Sequence, residues 1–242
     1  KPLFLMLILW FVFTTVLRLP EFKKRNPDFP FALHLLSGVL AWSFFTGGLS
    51  DAMHSIYANS NLVKKVKLNP AVFPVSAILS HLINYIFSLL ALFCFMIAYR
   101  TPLSPHILLL PVLIFMQTFL MLSLSLILSS LYVFYRDVGS ILEITLTGWF
   151  YATPIIYPFW LAAAEIPKRF SIWASYVYLL NPITPLVVAY RRVLFHALLP
   201  TPEMPDVFLI YYLLYVLALS VIMYNIFVRI FSRLAVRFAD ES

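Results

Sequence analysis

Asn59-Ser-Asn-Leu-Val-Lys-Lys-Val-Lys-Leu-Asn-Pro70 is a polar island between two long apolar runs. Lys64, Lys65 and Lys67 cannot rest in hydrocarbon, where a lysine at a helix centre costs roughly 2.5–3.5 kcal/mol. The stretch therefore belongs at a membrane face, and the runs on either side cross the bilayer. Its pattern also predicts a short helix. Asn59, Ser60 and Asn61 suit an N-cap, and Pro70 stops what precedes it. Leu62, Val63 and Val66 fall on one side and the lysines mostly on the other. Such an elbow can press one face on the protein and offer the other to a partner in the water. The same lysines could instead grip anionic lipid headgroups.

The rest of the chain agrees with a membrane setting. Of its 242 residues 62% are hydrophobic and only 11% charged, where a soluble domain is nearer half apolar and a quarter charged. The apolar runs are long and continuous, which excludes a transmembrane barrel of alternating strands. The fold class expected is all-α, a single polytopic domain over 1–242. The net charge of +7 suits anionic lipid, and no compact basic domain exists to bind nucleic acid. The single cysteine, Cys94, rules out an internal disulfide. The chain opens at Lys1 with no signal-peptide pattern, so an N-terminal segment is expected ahead of it.

Outward from the elbow, hydropathy predicts six spans: 2–19, 31–58, 71–99, 106–135, 138–157 and 207–231. Residues 160–199 are largely apolar, but Lys168, Arg169, Asn181, Pro182, Pro185, Arg191 and Arg192 cut them into pieces too short to cross. They read as re-entrant or interfacial helices. Six spans put both ends on the side of the elbow. Loop charge does not orient the chain: Lys1, Lys64, Lys65, Lys67, Arg136, Arg229, Arg233 and Arg237 on that side are matched by Arg18, Lys23, Lys24, Arg25, Arg100, Lys168, Arg169, Arg191 and Arg192 on the other. No repeat relates the two halves, which argues against inverted-repeat secondary transporters.

The chain holds no phosphate-cradling glycine loop, no metal-ligand spacing and no nucleophile motif. Directional work would draw on another chain or on an ion gradient. The latter needs buried acids, and Asp51 and Glu143 are the candidates. Asp51 lies one helical turn from His54. Glu143 shares a face with Arg136 if that helix is continuous, so both acids also read as structural partners. Aromatic residues offer a second signal. Trp10, Phe11 and Phe13 in span one, with Trp149, Phe150, Tyr151 and Tyr157 in span five, could stack on the C–H faces of sugars. The bland alternative for each ring is core packing or an interfacial belt.

Several segments together resemble a known family. They are Lys1-Pro-Leu-Phe-Leu-Met6 with Val12-Phe13, Leu36-Ser-Gly-Val-Leu-Ala-Trp-Ser-Phe-Phe45, Asn59-Ser-Asn-Leu-Val-Lys-Lys65, Tyr135-Arg-Asp-Val138, Thr153-Pro-Ile-Ile-Tyr-Pro158, and Leu180-Asn-Pro-Ile-Thr-Pro185 with Ala189-Tyr-Arg191. In this order they resemble the membrane subunit of a type-2 ATP-binding-cassette exporter, in the branch that exports lipid-linked polysaccharide such as O-antigen, capsule or teichoic acid.

The resemblance implies a homodimer bound to two cytoplasmic ATPase subunits, in the bacterial inner membrane with both termini cytoplasmic. ATP and Mg would belong to the partner and no cofactor or metal to this chain, which would not itself be an enzyme. Residues 59–70 would be the cytoplasmic coupling helix, with Asn59, Ser60, Asn61, Leu62, Val63, Lys64, Lys65, Val66 and Lys67 meeting the ATPase. Residues 159–200 would form extracytoplasmic gate helices with Asn181, Pro182, Arg191 and Arg192, and 232–242 a cytoplasmic tail. The polymer path would run between subunits beside membrane lipid. An amphipathic helix would precede span one. The basic loop at 21–28 departs from this pattern, because the resemblance puts it outside. Alternatives are a type-2 exporter of small amphiphilic drugs or lipids, and a gradient-driven carrier or membrane-embedded enzyme.

Overall fold

The computed structural model describes residues 31–65, 68–98, 100–101, 105–157, 180–195 and 205–235, together with Ile8, Phe159, Tyr178 and Phe238. The expected first span with Trp10, Phe11 and Phe13 lies outside the described residues. So do Val66, Lys67, most of the gate stretch and Arg237. The described chain is helical. In order it forms α1 (Phe31–Ala58), α2 (Ser60–Lys65), α3 (Val72–Ala98), a 3-10 turn (Pro105–Leu109), α4 (Leu110–Phe134), α5 (Val138–Tyr151), α6 (Ile183–Phe195) and α7 (Asp206–Ala235).

Four of these helices are long and apolar enough to cross a bilayer: α1, α3, the 3-10 turn with α4, and α7. Each exceeds the ~20 residues a span requires. Their exposed side chains are the reverse of a soluble protein's. Leu79, Ile83, Phe87 and Leu90 on α3 stand clear of the protein, as do Phe208, Tyr211, Leu214 and Ile222 on α7. Such faces need lipid tails against them. By contrast α1 is enclosed on most sides, with Leu36, Phe45, Leu49, Met53 and Ile56 almost inaccessible.

The fifth expected span differs. Helix α5 has 14 residues, about 21 Å at 1.5 Å per residue, short of a hydrocarbon core of about 30 Å. Pro154 is the cause: it lacks an N–H, and it pushes Thr153 out of helical conformation. The chain then tightens, with the Thr153 N–H donating to Phe150 O at 3.2 Å and the Ile155 N–H to Thr153 O at 2.7 Å. Four helices long and apolar enough to cross thus stand among the described residues, against six spans expected in the whole chain.

Local sequence explains the other ends. The Asn69 side chain accepts from the Ala71 N–H at 3.1 Å, and its carbonyl accepts from Val72 at 3.1 Å, which starts α3. At the far end Arg100 takes the left-handed conformation, φ 53°. The Thr101 N–H reaches back to Met96 O at 2.9 Å and the Arg100 N–H to Ile97 O at 2.9 Å. This is a Schellman ending with arginine where glycine is usual. The Thr101 hydroxyl gives Met96 O a second bond at 2.8 Å.

The chain divides into two compact units. The first is Lys1–Trp42, Tyr85–Leu113 and Phe150–Leu213; the second is Ser43–Asn84, Ile114–Trp149 and Leu214–Ser242. In the first, α6 is buried at every residue but Arg192 and packs on the 3-10 turn. In the second, α4 meets α7 at two serines. The Ser123 Oγ lies 2.8 Å from Phe119 O and 3.0 Å from Ser220 O. Small residues let the helices approach, and a cross-helix hydrogen bond in lipid adds about 0.6 kcal/mol.

Candidate functional site

Helix α2 realises the elbow in the second unit. The Asn59 carbonyl accepts from Leu62 at 2.9 Å and Val63 at 3.1 Å, so its backbone holds the N-cap position. Its side chain does something else: the amide donates to Ser55 O at 2.8 Å, satisfying a carbonyl at the end of α1. One residue thus closes α1 and opens α2, which fixes the bend between them. The described helix spans Ser60–Lys65. Lys64 and Lys65 are exposed. The expected apolar face splits: Val63 packs inward, whereas Leu62 is 47% exposed. Two charges and one apolar side chain therefore face outward together.

Val63 rests on a cluster of Ile56, Leu126, Val133, Phe231 and Phe238. Phe238, three residues beyond Ala235, is fully enclosed. Its ring lies 5.5 Å from Phe231 and 6.0 Å from Phe134, in the range where aromatic pairs attract. The stretch expected as a tail thus includes an anchor for the elbow's mount. Phe238→Ala should cost about 3–5 kcal/mol, as for other buried phenylalanines, and should loosen the elbow. The expected result is faster limited trypsin cleavage after Lys64 or Lys65 in the purified chain. An unchanged cleavage rate would show that the mount does not need this ring.

A second support lies beside it. Tyr132 packs edge-on against His54 at 4.5 Å and Tyr57 at 6.0 Å. Arg136 sits over the Tyr57 ring at 4.7 Å, a cation–π contact. The expected Arg136–Glu143 pairing is replaced by this contact: Arg136 sits in the turn at Tyr135–Asp137, ahead of the helix that carries Glu143. Glu143 is exposed and makes no ion pair among the described residues. Asp51 pairs with His81 on α3 at 2.6 Å, rather than with its neighbour His54. His54 uses Nδ1 toward Ser50 O at 2.7 Å. Gly47 makes room for the His81 ring: a Cβ there would lie 2.8 Å from it.

The first unit holds the gate residues that are described. Asn181 caps α6, its side-chain oxygen accepting from the Ile183 N–H at 3.0 Å, with Pro182 in the next position, where proline is favoured. The Asn181 amide donates to Thr153 Oγ1 at 2.9 Å and Ala152 O at 3.3 Å. Ten residues on, the Arg191 guanidinium donates to Pro154 O and Ile155 O, each at 2.6 Å. Asn181 and Arg191 thus hold the same turn, that following α5. Arg191 is fully buried, and a Cβ on Gly38 would lie 3.1 Å from it. It is a staple for backbone carbonyls. Arg192 points elsewhere and pairs with Asp206 at the start of α7.

The aromatic residues separate into packed and available rings. Within the second unit Trp149 stands edge-on to Phe45 at 5.4 Å. Within the first, Phe150 contacts Trp42 at 5.8 Å and Tyr151 at 5.3 Å. Tyr151 is 67% exposed. The Tyr157 hydroxyl donates to Tyr151 O at 3.1 Å and receives one from Tyr178 at 3.5 Å. Of the described rings proposed for a sugar path, Tyr151 is the open one. The structure also assigns parts to His81, Tyr132 and Phe238, which sequence reasoning passed over. Gly38 and Gly47, small residues in an apolar span that suggest close approach, do admit the Arg191 and His81 side chains.

Residues 1–195 match the model of the ABC-2 type transporter family. The chain is similar to an O-antigen export system permease protein RfbA of Myxococcus xanthus, 30% identical over 203 residues, covering 84% of this chain and 73% of that protein. It is similar to two proteins of the same name from Klebsiella pneumoniae, each 24% identical over 241 residues, covering 99% of this chain and 84% of theirs.

Proposed function

The chain belongs to the ABC-2 type transporter family, and on that premise we propose that it is the membrane subunit of an ATP-driven exporter of lipid-linked polysaccharide of the O-antigen type. Near-full-length similarity to relatives named as O-antigen export permeases carries this reading. The subunit would have six spans and work as a homodimer in a bacterial inner membrane, with both termini cytoplasmic. Two ATPase subunits would dock on α2, where Lys64, Lys65 and Leu62 stand outward on an anchored base. Closure of the ATPases would move the elbow, and α1 would carry the movement, since Asn59 ties the two together. Tyr151 and Tyr157 would offer rings and a hydroxyl to the passing glycan. The α6 staple would hold the end of α5 beside that path.

Cells lacking the protein should accumulate lipid-linked glycan on the cytoplasmic side of the membrane and lose it from the surface. A normal distribution of glycan, with heightened sensitivity to amphiphilic drugs, would favour an exporter of small amphiphiles instead. Co-purification of a nucleotide-hydrolysing subunit with the tagged chain tests the partner separately.

A further inference from the structure

We propose that Asp51 and His81 are positioning residues that lock the two helices flanking the elbow into one body, so that α3 moves whenever α1 does. Both stand in the stretch 43–84, which lies unbroken within the second unit and holds the end of α1, the elbow and the start of α3. Asp51 comes seven residues before Ala58, and His81 nine after Val72. At 1.5 Å per residue they lie about 10 Å and about 14 Å from the elbow along their helices. The pair is a crossbar on a hairpin, set at similar depth on both legs.

The two legs are held differently. Near the elbow α1 is enclosed, with Leu49, Ala52, Met53 and Ile56 almost inaccessible. Between 72 and 84 the buried side chains of α3 are Pro74 and Ile78, while Leu79 and Ile83 stand outward. Apolar packing alone does little to stop such a helix from sliding or turning, because lipid tails are as apolar as the side chains they replace. His81 shares the face of Pro74 and Ile78 and supplies a directed bond. Its Nε2 lies 2.6 Å from Asp51 Oδ2, and polar groups within a span are held by pairing with one another.

Helix α1 is shaped to receive that ring. A Cβ on Gly47 would lie 2.8 Å from the His81 ring, and one on Gly48 would lie 3.6 Å from the His81 Cβ. A glycine inside a helix costs about 1 kcal/mol relative to alanine, so two in succession mark a close approach that helix propensity opposes. Gly47, Gly48 and Asp51 thus meet one side chain of α3 within little more than a turn. An acid that carried protons or touched cargo would need its charge. A crossbar needs an acceptor and a close fit, and the glycines supply the fit. The inference rests on the reading of the elbow as the ATPase docking point: a push there reaches α3 together with α1, instead of bending the elbow between them.

The test uses Gly48→Cys with His81→Cys in a Cys94→Ser chain, in membrane vesicles that carry its ATPase and lipid-linked glycan. The Cβ separation of 3.6 Å suits a disulfide. The Met121 methyl that a side chain at 48 would meet ends a flexible chain able to turn aside. In the reduced protein the crossbar is gone, and glycan exported per ATP hydrolysed should fall several-fold while hydrolysis continues. Oxidation joins α1 to α3 again and should return export per ATP to the Cys94→Ser level. Asp51→Asn, which keeps an acceptor for His81, should retain most export. Asp51→Leu, which does not, should match the reduced protein. Export that stays low once the disulfide has formed would mean that the helices must shift against each other, and would overturn the proposal. So would full export in the reduced protein, or a loss in Asp51→Asn as deep as in Asp51→Leu, which would give the role to the charge. Lys64→Glu with Lys65→Glu in the same vesicles scores docking separately. Normal export by that variant would sink the docking reading, and rescue by the disulfide would still fix α1 to α3.

Discussion

Arg191→Ala is expected to lower stability by about 3–5 kcal/mol. The guanidinium donates two short bonds to the carbonyls of Pro154 and Ile155, and hydrogen bonds involving a charged group contribute about 1.5–3 kcal/mol each. Truncation leaves both carbonyls buried without their donor and opens a void where the side chain lay. The turn after α5 would then lose its bonds to Arg191 while keeping that from Asn181. Arg191→Lys should be intermediate, since an ammonium lacks the planar fork that meets two carbonyls at once. The measurement is the thermal midpoint of the purified chain in detergent. A gate residue with no structural duty would alter transport and leave this midpoint alone, so an unshifted midpoint in Arg191→Ala would remove the staple.

Reversing the elbow with Lys64→Glu and Lys65→Glu should reduce export at least tenfold while membrane insertion and thermal midpoint stay at wild-type values. Both side chains are exposed, so folding has little stake in them. A docking partner with complementary charge does, because like charges placed face to face are strongly unfavourable in an interface. Leu62, apolar and 47% exposed beside them, is the side chain such a partner would cover. Export and ATPase binding are to be read on the same membranes. If both persist in the double reversal, the elbow's lysines serve lipid headgroups rather than a partner.

The long apolar runs made the crossing helices plain. The bounds of α1, 31–58, follow from the proline at one end and the asparagine-rich elbow at the other, and lysines mark the elbow as a polar break between apolar runs. These are local or compositional matters: hydrocarbon rejects charge, and proline lacks a donor, wherever the residue comes to sit. The cut in α5 was legible in the same way, since Pro154 stands in the expected span, but hydropathy continued past it and masked the stop.

The site was only partly visible. Arg191 reads in the chain as one more surface cation cutting an apolar stretch, yet it is fully buried because backbone carbonyls freed by Pro154 lie opposite it. Glu143 reads as a partner for Arg136 at helical spacing, yet Arg136 lies in the turn before α5 and Tyr57 takes the cation instead. Asp51 reads as a neighbour of His54, yet its partner His81 lies on another helix, 30 residues away.

Residue order determined the membrane class, the crossing segments and the charged elbow, because those depend on what each residue can tolerate in oil or water. The tertiary structure alone decided which charges became staples, which ring of the α5 series stands open, and that Phe238 anchors the elbow. Those outcomes depend on which groups meet across helices distant in sequence, and no local pattern encodes that.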